Sequence, residues 1–69
     1  MNSETFWTIK AMRTFGGSFV RALGYAAALA DEENLTRIIA AWPEYWKQYT
    51  AMGEHIKEQE NLKTRQSFP

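Results

Sequence analysis

The sequence predicts an all-α protein: a short N-terminal helix followed by an antiparallel helical hairpin, assembled as an oligomer. Two local observations set the class. Apolar residues recur at spacings of three and four along most of the chain, and strand-like alternation occurs nowhere. Gly16-Gly17 and Pro43 punctuate the pattern and divide it into three segments. The third observation concerns quantity. The 69 residues are 45 % apolar and 14 % aromatic, yet a chain this short buries only about 60 % of its unfolded surface. Self-association or a partner protein is the expected outlet for the surplus.

Residues 4–15 form the first expected helix. Asn2 or Ser3 can cap it, and Glu4 suits the positive end of its dipole. Phe6, Ile9 and Met12 make one stripe, with Trp7, Ala11 and Phe15 beside it. Gly16-Gly17 ends it and invites a left-handed C-terminal cap. Ser18 is placed to cap the next helix.

From Phe19 the helical spacing continues through Leu23, Ala26, Ala30, Asn34, Ile38 and Ala41. Two readings fit. One helix spans about 18 to 42, as the unbroken phase favours. Alternatively the chain breaks at Ala30-Asp31, where Asp31 would cap a new helix whose first turn holds Glu32 and Glu33. Gly24, Ala27 and Ala28 are small enough to admit a close helix, from within the chain or from a second copy. Asn34 fixes register on the first reading and bonds locally on the second.

Pro43 pushes Trp42 out of the α region and fits the first turn of a third helix beside Glu44. Tyr45, Tyr49, Met52 and Ile56 then repeat at helical spacing, and Gly53 weakens that helix locally. The whole chain, 1–69, reads as one helical domain with a frayed tail over 62–69.

Composition excludes several classes. Eight basic and eight acidic side chains cancel, and the pI is about 6.6, so no general pull toward nucleic acid or an anionic membrane is expected. The longest run of small apolar residues, Gly24 to Ala30, is far shorter than the ~20 residues a membrane span needs. The start, Met1-Asn2-Ser3-Glu4, lacks the basic opening of a signal peptide. No cysteine is present, which suits a reducing compartment; a cytoplasmic protein is expected.

Catalytic constellations are poor. His55 is the single imidazole, and with Glu54 and Glu58 it makes at best a weak surface metal site. Asp31, Glu32 and Glu33 diverge on a helix and do not converge on an ion. No enzyme activity, cofactor or metal is expected. Gly16, Gly17 and Ser18 precede a helix N-terminus, where free N–H groups favour anions. With Lys10, Arg13 and Arg21 nearby they form a candidate phosphate site, although the P-loop and G-x-G-x-x-G patterns are absent. A bare Gly-Gly corner needs no ligand.

The densest feature is Trp42-Pro43-Glu44-Tyr45-Trp46-Lys47-Gln48-Tyr49. Four aromatic residues within eight either fill the corner of a tiny core or form an interaction hot spot. Trp42, Tyr45, Trp46 and Tyr49, with Trp7 as contributor, are the candidate partner-binding residues. Base stacking is disfavoured because only Lys47 is near.

The stretch from Ala30-Asp31 through Asn34, Arg37-Ile38 and Trp42-Pro43-Glu44-Tyr45-Trp46 to Tyr49 resembles small uncharacterised accessory proteins of tailed phages and prophages. It covers about a third of the chain. The resemblance implies a setting in the bacterial host cytosol and carries over no functional residue. On that basis the expected function is non-catalytic: binding and inhibiting a bacterial host or defence protein. Two alternatives stand beside it. One is an oligomeric sponge for a nucleotide signal at the Gly16–Ser18 corner. The other is a small DNA-binding or transcription-control module using Lys57 to Gln66.

Overall fold

The computed structural model describes residues 2–66. They form four helices: α1 (Ser3–Phe15), α2 (Ser18–Leu29), α3 (Glu32–Ala41) and α4 (Pro43–Gln66). No strand occurs among the described residues.

Asn2 caps α1, its side chain accepting a 2.7 Å hydrogen bond from the Thr5 N–H. The glycine corner differs from the expectation. Gly16 and Gly17 have φ of −74° and −72°, both extended, so no left-handed cap forms. Gly17, not Ser18, is the N-cap of α2, and no side chain caps that end. Gly16 is instead required by space. A Cβ there would lie 2.6 Å from both the Met12 carbonyl oxygen and Val20 Cγ1.

Residues 18–42 form two helices, not one. Ala30 is extended (ψ 143°), and the Asp31 carboxylate accepts from the Asn34 N–H at 2.8 Å. Leu35 N–H then donates to the Asp31 carbonyl, which starts α3. The local capping chemistry outweighs the continuity of the apolar phase. Asn34 contributes its backbone to this cap, and its side chain is exposed. Pro43 opens α4 as expected, with Trp42 outside the helical region at φ −132°, ψ 62°. α4 is 24 residues long and crosses Gly53 without a break. It remains helical through Gln66, while 67–69 of the expected frayed tail lie outside the described residues.

The first helix is the centre of the fold rather than an addition to a hairpin. α1 and α2 lie antiparallel: Met12 meets Gly24, and Ile9 shares a cleft with Ala28. α4 packs extensively along α1 as well, whereas α3 touches α2 and α4 only lightly. The core is Ala11, Met12, Val20, Leu23 and Tyr49, with Ile38, Trp46 and Ile56 packed against it.

The buried faces of α1 and α2 are rotated from the predicted stripes. α1 buries Thr8, Ile9, Ala11 and Met12, and leaves Phe6 and Phe15 exposed. α2 buries Val20, Leu23, Gly24 and Ala27, and leaves Phe19 and Ala26 exposed. Two glycines decide how close the helices come. A Cβ on Gly24 would sit 2.8 Å from Met12 Cβ. One on Gly53 would sit 2.6 Å from the Trp7 carbonyl oxygen and 2.9 Å from the Thr8 nitrogen. The small face of α2 therefore serves packing within the chain.

Thr8 is fully buried, and its polar group is satisfied. Its hydroxyl donates to the Glu4 carbonyl at 2.8 Å and lies 3.0 Å from the Thr50 hydroxyl. With the single Thr8 proton committed to Glu4, Thr50 is the donor across the α1–α4 contact.

Candidate interaction surface

The aromatic segment from Trp42 to Tyr49 divides between core and surface. Tyr49 is 7 % exposed and belongs to the core. A partner cannot use a ring with so little free surface, which removes it from the binding set. Trp46 is half-buried against the same core. Trp42 and Tyr45 remain exposed at the α3–α4 corner. The geometry follows from Pro43. By ending α3 and starting α4, it separates Trp42 from the three aromatic residues of α4, which differ in burial by their position along and around that helix.

Phe19 completes the exposed cluster. Its ring meets Trp42 edge-on at 5.6 Å between centroids and lies 6.2 Å from Tyr45. Phe19 belongs to the stripe expected to face the core, and the distance in sequence between it and Trp42 gives no sign that the two rings meet. Trp7 is elsewhere: half-buried, it meets Phe6 edge-on at 5.2 Å and carries Lys10 Nζ 5.0 Å from its ring centroid. The five candidate binding residues thus do not form one patch.

An open groove of about 640 Å³ lies between α2 and α3. Ala26, Ala30, Ile38 and Ala41 contribute its apolar wall, Leu29 stands at its edge 74 % exposed, and Trp42 closes one end. Ala26, Ala30, Asn34, Ile38 and Ala41 are members of the stripe read from the sequence. The spacing was real, but this side faces the groove. α3 is amphipathic yet buries none of its residues. Asn34 and Arg37 also line the groove, and among the described residues Arg37 is the one charged side chain in that lining. Arg37 is itself paired with Glu33 at 2.9 Å on the exposed helix surface.

The candidate anion residues also separate. Lys10 and Arg13 line a cleft of about 540 Å³ with Phe6, Ile9, Thr14 and Ala28. Ala28 lies roughly 16 Å along α2 from Gly17, at 1.5 Å per residue. Gly16, Gly17, Ser18 and Arg21 are not part of this cleft. Arg13 turns to Tyr25, with Cζ 5.4 Å from the ring centroid.

His55 is exposed beside Phe15, Met52 and Ile56 at a shallow apolar recess. Among the described residues no three His, Asp or Glu side chains are grouped to hold a metal ion. No helix among them is long and apolar enough to cross a membrane. Compared with known proteins, the chain matches no family model, no curated sequence and no solved structure.

Proposed function

We propose that the protein is a non-catalytic interaction module whose α2–α3 groove receives an amphipathic helix of another protein. The supporting observation is the state of α3, an amphipathic helix that buries no residue and borders an open apolar groove. Alanines on the groove wall let a helix approach closely, and Leu29 offers a knob at its edge. Trp42, Phe19 and Tyr45 supply the aromatic anchors typical of binding hot spots. In the setting implied by the phage-protein resemblance, the partner is a bacterial host or defence protein, and occupation of the groove blocks it.

Site-specific photocrosslinking in bacterial cells tests this reading. A photoreactive residue at Leu29 is expected to capture a discrete protein, and the same group at Lys63 is not. Capture at Leu29 should disappear with Trp42→Ala. Absence of any protein adduct at Leu29, or equal capture from Lys63, overturns the proposal.

Self-association through the same groove is a second reading. The accessible surface of 5154 Å² exceeds the about 4450 Å² expected for a compact monomer of this mass. Adducts between two copies at Leu29 would select this reading over the first.

A further inference from the structure

We infer that the α1–α2 cleft is a binding site for a small molecule that joins a planar ring to a phosphate, of nucleoside monophosphate size. This inference is independent of the α2–α3 groove, which lies on other faces of the fold.

The site begins with helix spacing. Phe6, Lys10, Arg13 and Thr14 fall at i, i+4, i+7 and i+8, so they share the outward face of α1. α2 closes the cleft with Ala28, a side chain too small to fill it. The resulting space of about 540 Å³ falls within the roughly 300–1,000 Å³ usual for small-molecule sites.

Both cations are held in place without being neutralised. Lys10 Nζ lies over the Trp7 ring, and Arg13 Cζ over the Tyr25 ring. No carboxylate lies within ion-pair distance of either among the described residues. A ring face restricts each side chain while leaving its N–H donors for a ligand. Gly24 makes the Arg13 placement possible. A Cβ there would lie 3.2 Å from Arg13 Cγ and 3.5 Å from the Arg13 nitrogen. The absent side chain lets the arginine stem cross close to α2 on its way to Tyr25.

The ligand class follows from what the cleft offers. Two cations three residues apart suit the spread charge of one phosphate, with the guanidinium able to give two parallel hydrogen bonds. Phe6 is 50 % exposed, and beside Ala28 it gives a planar group an apolar surface for stacking. The Thr14 hydroxyl adds a neutral donor and acceptor at the edge. An isolated phosphate would leave the apolar wall unused, and an uncharged nucleoside would leave both cations unused.

The test is isothermal titration of the full chain with AMP, adenosine and inorganic phosphate, with circular dichroism to confirm folding of each variant. AMP is expected to bind, with adenosine and phosphate each at least about tenfold weaker. Lys10→Gln and Arg13→Gln should each weaken AMP by about tenfold, and Phe6→Ala should weaken it while leaving phosphate unchanged. Arg21→Gln, outside the cleft, should bind like the parent. Absence of AMP binding at about 1 mM, or binding that survives Arg13→Gln, overturns the inference. Equal loss in Arg21→Gln would overturn it in favour of the α2 N-terminus. Oligonucleotides that bind more tightly with length would overturn it in favour of a nucleic-acid surface.

Discussion

Gly53 shows how one residue sets the separation of two helices. Its hydrogen faces the Trp7 carbonyl and the Thr8 amide, and these are backbone atoms that cannot swing aside. In a free helix, replacing glycine by alanine gains up to about 1 kcal/mol. Here the added methyl must push α4 off α1, and overpacking of this kind costs about 1–3 kcal/mol. Gly53→Ala is therefore expected to lower stability by about 1 kcal/mol net in chemical denaturation. A stabilised variant would show that α4 is not seated on α1 at this point. In sequence, Gly53 reads only as a weak spot in a helix, because the atoms that require it lie more than forty positions away. Thr8 is a similar case. A threonine in a helix looks like a surface residue until Thr50 comes to meet it.

At the scale of elements, α3 is the piece held mainly by its own local chemistry. Its start depends on the Asp31 cap, and none of its ten residues is buried. Losing an N-cap carboxylate costs about 1 kcal/mol. In Asp31→Ala that cost should fall on α3 alone, since few tertiary contacts couple it to the core. Amide exchange at Leu35 to Ala41 is expected to speed up about fivefold, while Met12 and Leu23 keep their protection. Uniform acceleration through α1 and α2 would mean that α3 is an integral part of the core. The break before α3 was legible as one of two readings, because Asp31-Glu32-Glu33 is a helix start in its own right. The face of α2 was not legible. Its alanines make both sides apolar, so spacing alone finds a stripe at Ala26 and Ala30 as readily as the buried one at Val20, Leu23, Gly24 and Ala27.

As a whole the molecule is long and thin, 45 × 23 × 17 Å, with a radius of gyration of 13.0 Å. A compact chain of 69 residues would have a radius of about 11 Å. Part of the excess comes from α4, whose residues from Lys57 to Lys63 are all exposed. The core also leaves the side chains of Phe6, Phe15, Phe19, Leu29 and Trp42 exposed. If the groove is covered by a second copy, light scattering after size exclusion gives twice the monomer mass, and Leu29→Lys returns it to the monomer. A parent protein that stays monomeric at about 100 μM retires self-association and leaves a foreign partner as the occupant. The candidate site was half legible for the same reason. The Trp42–Tyr49 cluster stands out in sequence, but only packing separates Tyr49, which fills the core, from Trp42 and Tyr45, which Phe19 joins at the surface.

The sequence by itself determined the helical class, a cap for the first helix at Asn2 or Ser3, the stop at Pro43, and an excess of apolar surface. These depend on composition and on residues within about one helical turn of each other. Tertiary structure alone decided that α1 is the centre, that Gly24 and Gly53 are contact points, and that Lys10 and Arg13 share a cleft with Ala28. Those outcomes depend on which of several apolar faces meet, and that choice is made by steric fit between residues far apart in the chain.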